Sequence, residues 1–143
     1  MTTAFEGKHS DITDKIIKAF YNVYNQLGYG FAEKVYRNSM MIEGQAHGLV
    51  IESEKAIQVR FNGIVVGEYV ADLLVNSLVI VELKCIAKLL PEHEAQLLNY
   101  LKATPIEVGL LLNFGPKAEF KRKTNDNFRK GNLSWTDWPA NLS

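Results

Sequence analysis

The apolar positions of the first third of the chain recur at helical spacing. Ile12, Ile16, Phe20, Val23 and Leu27 lie three or four residues apart, as on one face of a helix. Ser10 or Asp11 caps this predicted helix, since a short oxygen-bearing side chain accepts from the free N–H groups of a first turn, and Gly28 stops it. After a turn at Tyr29-Gly30, a second helix is predicted over residues 32–46, with Val35, Ser39 and Ile42 on one face and Gly48 beyond its end. The period then changes to two. Ile57, Val59 and Phe61 alternate with Ala56, Gln58 and Arg60, as in a half-buried strand. Asn62-Gly63 marks a two-residue hairpin, because a type I′ turn needs φ > 0 at both central positions, and Ile64–Val75 is the returning strand. Asn76-Ser77 breaks it, and the nearly continuous apolar run LVIVEL over residues 78–83 suits a central strand buried on both faces. Pro91 opens a third helix, with Glu92 and Glu94 at the positive end of its dipole and Leu97, Leu98 and Leu101 on its apolar side. Thr104-Pro105 ends it. Val108–Phe114 is a second buried strand, reached through a helix and so expected parallel to its predecessor, and Phe120 begins a last edge strand. The order is α-α-β-β-β-α-β with a final β, an α/β fold with a mixed sheet flanked by helices.

Composition narrows the class without changing that outline. The 143 residues, 47% hydrophobic and 22% charged, fit one domain over residues 1–143, with residues 1–9 a loose lead-in and 132–143 a tail. A single cysteine, Cys85, excludes an intrachain disulfide framework, and a buried inert thiol is the expectation for it. MTTAFEGKHSD carries no apolar signal-peptide core and no run approaches the ~20 apolar residues of a membrane span, so no membrane partner and a cytoplasmic location are expected. The formal net charge is +0, so no global field pulls the chain towards nucleic acid. A local patch exists over residues 115–131, where Lys117, Lys121, Arg122, Lys123, Arg129 and Lys130 face Glu119 and Asp126, a charge of +4. It reads either as a solvated surface or as a phosphate-backbone contact.

Three ionisable residues sit in or at the end of apolar strands: Asp72 in YVADLLV, and Glu82 and Lys84 in LVIVELK. An unpaired buried charge is very costly. If the turn between the two runs has three residues centred on Ser77, Asp72 lies across from Glu82, where opposed Cβ atoms are ~4.5–5.5 Å apart and like charges repel unless a cation lies between them; a two-residue turn would put the two acids on opposite faces. Lys84, two residues past Glu82, points to the same face. Two carboxylates suit Mg²⁺, whose water is a nucleophile for a phosphate ester, with the lysine placed to orient or deprotonate that water.

Asp72, nine residues, then Glu82-Leu83-Lys84 resembles the signature of the PD-(D/E)XK nuclease superfamily, with Ala71 in place of the loosely kept proline. Gly30-Phe31-Ala32-Glu33-Lys34-Val35-Tyr36 resembles the motif of the GxxExxY proteins of the same superfamily, and Gln96-Leu97-Leu98-Asn99-Tyr100 is similar to the QxxxY motif of RecB-type nucleases. These elements occur in the expected order within residues 12–114. The resemblance implies a restriction-endonuclease-like core and a metal-dependent nuclease acting on nucleic acid, DNA by analogy. It implies Asp72, Glu82 and the Leu83 carbonyl as ligands of Mg²⁺ or Mn²⁺, Glu33 as a third or water-mediated acid, and Lys84 serving the water. Gln96, Tyr100 and Tyr36 are then auxiliary residues near the metal or the nucleic-acid backbone, with Lys121, Arg122 and Lys123 as backbone contacts. Tyr36 and Tyr100 also read as half-buried core residues, Gln96 as an exposed helix residue, and Glu82 with Lys84 as a surface ion pair. His93, in the first turn of the third helix, reads as solvent-facing, and His9 and His47 as incidental. The alternative from another class is a catalytically retired nuclease fold that binds nucleic acid or a protein partner. Trp135 and Trp138 are expected to pack on the core or across a homodimer.

Overall fold

The first apolar stripe forms the helix its spacing predicts. In a computed structural model, which describes residues 7–131, helix α1 spans Ser10–Leu27 and buries Ile12, Ile16, Ala19, Phe20 and Val23. Neither Ser10 nor Asp11 is its cap. Ser10 is already helical, and the chain enters through His9 at φ 58 with no side-chain cap. That entry is held from the other side: Lys8 Nζ lies 3.1 Å from both Glu107 and Asp126, and the Lys8 carbonyl accepts from Arg122. Residues 7–9 are therefore tied to the far end of the chain rather than loose.

Helix α2 spans Glu33–Ala46 and buries Tyr36, Met40 and Gly44. The face with Val35, Ser39 and Ile42 points outwards, and Ile42 is 72% exposed. Both sets have helical spacing, so periodicity alone does not choose between them. Tyr36 decides the matter by stacking on Phe114, with ring centroids 4.3 Å apart.

Five strands follow in a single sheet of order β1-β2-β3-β4-β5: Ile51–Phe61, Ile64–Val75, Val79–Lys84, Val108–Phe114 and Ala118–Thr124. All neighbours are antiparallel except β3 and β4, which are parallel and joined through α3 (Pro91–Lys102). The Asn62-Gly63 turn has φ 52 and 80, both positive as a type I′ turn requires. Strand β1 begins well before the alternation at Ala56, because Glu52, Ser53, Glu54 and Lys55 carry no apolar signal. Strand β5 starts at Ala118 rather than Phe120.

The sheet separates two cores. Leu73, Val79, Val81, Leu83, Leu110 and Leu112 face α1 and α2, whereas Leu74, Ile80 and Leu111 face Leu97, Tyr100 and Leu101 of α3. Two glycines set the spacing on the α3 side. A Cβ at Gly109 would lie 2.7 Å from Leu97 Cδ1, and one at Gly115 would lie 1.9 Å from the Ile86 carbonyl oxygen. The second clash is with backbone, so Gly115 lets the segment leaving β3 pass close by. Buried Asn113 pins that segment, its amide bonding both the N–H and the C=O of Ile86. No helix among the described residues is long and apolar enough to cross a membrane. Trp135, Trp138 and the tail over 132–143 lie outside the described residues.

Candidate active site

Leu73, Leu74 and Val75 pair with Val81, Ile80 and Val79, which is the register expected of a turn centred on Ser77. Asn76 and Ser77 both take positive φ, 52 and 56. One step further the backbone ladder stops, at the level of Asp72 and Glu82. There the Asp72 N–H donates to Glu82 Oε1 at 2.8 Å and the Leu83 N–H donates to Asp72 Oδ2 at 2.7 Å. Each carboxylate takes the place of a carbonyl on the opposite strand. The sheet is irregular on the other side too. Strand β1 pairs Ser53 with Leu73 and Lys55 with Ala71, skipping Glu54, which sits at φ 54 opposite Asp72. Residues two apart on a strand normally share a face. Here Leu73 packs in the α1/α2 core while Ala71 packs in the α3 core. The faces of β2 thus exchange at Asp72, and the aspartate is brought within reach of α2.

Glu33, the first residue of α2, supplies the third acid. Gly30 has φ 112, a conformation that glycine adopts without penalty. The Tyr36 hydroxyl donates to the Gly28 carbonyl at 2.7 Å and accepts from the Phe31 N–H at 3.3 Å. Fully buried Tyr36 therefore does not contact nucleic acid. It pins the turn that aims Glu33 at Asp72, so the motif divides into a glycine that permits the turn, a tyrosine that holds it and a glutamate that carries charge.

Burial, and then the charge of Asp72, push the Glu82 carboxyl up to about 8. Burial and then Asp72 also raise Glu33, while Lys84 and Arg37 oppose the rise. Burial raises Asp72 against the Leu83 N–H, Lys84 and Arg37. Arg37 was not marked in the sequence. It lies one turn after Glu33, its Nη2 is 3.6 Å from Glu54 Oε1, and its charge acts on both Glu33 and Asp72. Its i, i+4 spacing from Glu33 was the available signal, but on a helix that pattern is common.

Lys84 is held by α3: its Nζ donates to Gln96 Oε1 at 3.2 Å. One turn later Tyr100 packs beside the acids, and burial followed by Glu82 pushes its phenol up to about 12, keeping it a proton donor. Tyr100 and Tyr69 of β2 lie with ring centroids 5.8 Å apart. His93 stays outside this group, its Nδ1 accepting from the Leu90 N–H as a cap of α3. Cys85 packs with the α1/α2 core, and burial pushes its thiol up, so it stays protonated.

Half of the basic run is spent on structure. Lys123 Nζ lies 2.6 Å from Glu94, Arg122 shares the face of Phe120 towards α1 and bonds the Lys8 carbonyl, and Lys130 donates to the Thr104 and Ile106 carbonyls at 2.8 and 2.7 Å. Arg122 is therefore not on the site side of the sheet. Lys121, paired with Leu111, is exposed on the α3 side with the acids.

Among the described residues no three Asp, Glu, His or Cys side chains close into a metal shell of their own. The donors that are present are hard oxygens: Asp72 and Glu82 each commit one oxygen to a backbone N–H, and Asp72 also shares a side-chain hydrogen bond with Glu33. A small, all-oxygen and incomplete set suits an ion that keeps several waters, as Mg²⁺ does.

Among curated proteins none matches this chain. The crystal structure of an alkaline exonuclease (LHK-Exo) from Laribacter hongkongensis resembles it with 14% identity and a TM-score of 0.48, over 95% of this chain and 81% of that one. The sequence profile of the PD-(D/E)XK nuclease superfamily matches residues 10–123, which takes in α1, the Glu33 turn, the Asp72–Glu82 seam, Lys84 and the α3 pair. The chain belongs to the PD-(D/E)XK nuclease superfamily.

Proposed function

We propose that this protein is a divalent-metal-dependent nuclease that hydrolyses phosphodiester bonds, with DNA the favoured substrate. The observation that carries the reading is the seam at which Asp72 and Glu82 cross-bond the backbones of β2 and β3 beside Lys84. Asp72, Glu82 and the Leu83 carbonyl would hold Mg²⁺ or Mn²⁺, with Glu33 acting through water. The metal, when bound, lowers the pKa of water and neutralises charge on a phosphate oxygen. Lys84, oriented by Gln96, positions the attacking water and stabilises the negative charge that grows on the phosphate. The Tyr100 hydroxyl, kept protonated, donates a hydrogen bond at the edge of the same site. Lys121 steers the backbone without reading sequence. DNA is preferred over RNA by analogy with the superfamily alone.

The test is purified protein with Mn²⁺ or Mg²⁺ and single- and double-stranded DNA and RNA, at low and raised salt. The wild type cleaves, binding weakens with salt, and Lys84→Ala slows cleavage by about 10²–10⁴-fold. Cleavage that survives unchanged in the variant marks a contaminant. Binding without cleavage under every condition turns the chain into a retired nuclease fold that only binds.

A further inference from the structure

We infer that Tyr69 is a stacking platform for a nucleobase of the strand being cut, so that the site takes strands with unstacked bases ahead of continuous duplex. The inference rests on the nuclease reading above and names its substrate class.

The β1–β2 hairpin runs on past the seam. Pairing between the two strands continues to Phe61 and Ile64, whereas β3 pairs with β2 only up to Leu73. The result is a two-stranded arm beside the site, with Phe61, Ile64, Val66, Tyr69 and Val70 exposed. Tyr69 joins the arm to the chemistry. Tyr69, 50% exposed, meets Tyr100 with its ring; Tyr100 packs with Gln96 beside Glu82, and Gln96 in turn holds Lys84.

The ring lies along the strand. Gly67, two residues before Tyr69 on the same side of β2, is covered by it: a Cβ there would meet Tyr69 Cε2 at 3.4 Å and Val59 Cβ at 3.8 Å, ordinary contact distances. One side of the phenol is thus set against β2 and Tyr100, and the residue remains half exposed.

Charge complements the geometry. The chain has a formal net charge of +0, and Arg122, Lys123 and Lys130 of the basic run bond protein groups. Phosphate attraction is correspondingly modest. Stacking on an aromatic ring adds affinity that tolerates any base, because every base has a π-face. A continuous duplex hides those faces, whereas a single strand or a frayed end offers them.

The experiment measures anisotropy of a labelled single-stranded oligonucleotide in Ca²⁺, with wild type, Tyr69→Ala and Tyr69→Phe, and repeats it on an abasic strand of equal length. Tyr69→Ala is expected to weaken binding by about 5- to 150-fold, the span of one base stacked on one ring. Tyr69→Phe retains affinity, the salt slope stays unchanged because no phosphate contact is lost, and the difference vanishes on the abasic strand. Thermal melting followed by circular dichroism checks that both variants stay folded. If the wild type cleaves nucleic acid but Tyr69→Ala binds as tightly, or loses equally on both strands, the stacking inference alone falls. If the wild type binds no nucleic acid, it falls together with the nuclease reading.

Discussion

Strand β2 has two halves that differ in almost every physical respect. Residues 73–75 are bonded to β1 on one side and β3 on the other, and are buried on both faces. Residues 64–70 pair with β1 alone, and Ile64, Val65, Val66, Tyr69 and Val70 are exposed. Asp72 stands between the halves, where the ladder opens and the faces of the strand exchange. The lower half anchors the carboxylates by ordinary packing, and the upper half leaves room beside them. The two carboxyl groups are held at the seam because each accepts from a backbone N–H that the missing ladder leaves without a carbonyl.

The largest expected effect comes from removing the seam. Asp72→Ala should lower cleavage on the order of 10³-fold and abolish Mn²⁺ binding in calorimetry, while circular dichroism shows the fold retained. An unchanged Mn²⁺ affinity would remove Asp72 from the site. Leu74→Ala, in the buried half, should destabilise the protein by about 2–5 kcal/mol in urea melts, through a cavity facing α3. A shift near zero would mean that the lower half is not the anchor.

A smaller, pH-dependent effect comes from Glu82, whose carboxyl is pushed up to about 8 by burial and by Asp72. The folded chain then holds this proton more tightly than the unfolded chain. Metal-free stability should therefore fall as pH rises from about 4.5, the unfolded value, to about 8. Glu82→Gln should flatten this slope, as should added Mg²⁺ or Mn²⁺. A metal-free stability that rises over that window contradicts the assignment. The smallest effect is expected on the arm: Val66→Lys should change stability by no more than about 0.5 kcal/mol, and a large loss there would show the arm to be packed against something.

Much of the fold was legible because its signals are local. The stripe from Ile12 to Leu27, the Asn62-Gly63 turn, the run at β3 and Pro91 at the head of α3 each declare an element within a few residues. The β2–β3 register was legible only once a turn length was assumed, and the structure selects the three-residue turn over the two-residue one. Glu33, Gln96 and Tyr100 were legible as motif residues. Arg37 was not, because its relevance depends on Glu54 and Asp72, which are remote in the chain. The partners of the basic run were hidden for the same reason: Lys123, Arg122 and Lys130 meet Glu94, the Lys8 carbonyl, and the Thr104 and Ile106 carbonyls, all remote in the chain.

By itself, then, the sequence determined the order of elements, the place of the Asn62-Gly63 turn and the set of charged residues carried on apolar strands. Helix and strand periods and turn residues act over a few positions, and a short turn leaves a register little freedom. Only the tertiary structure decided which of two equally periodic stripes of α2 is buried, that Tyr36 is a pin and not a contact, and that β2 changes face at Asp72. Those outcomes depend on what packs opposite. Phe114 stacks under Tyr36, Glu54 takes a positive φ beside Asp72, and the Leu83 N–H turns to the aspartate, each a contact between parts of the chain that no local pattern connects.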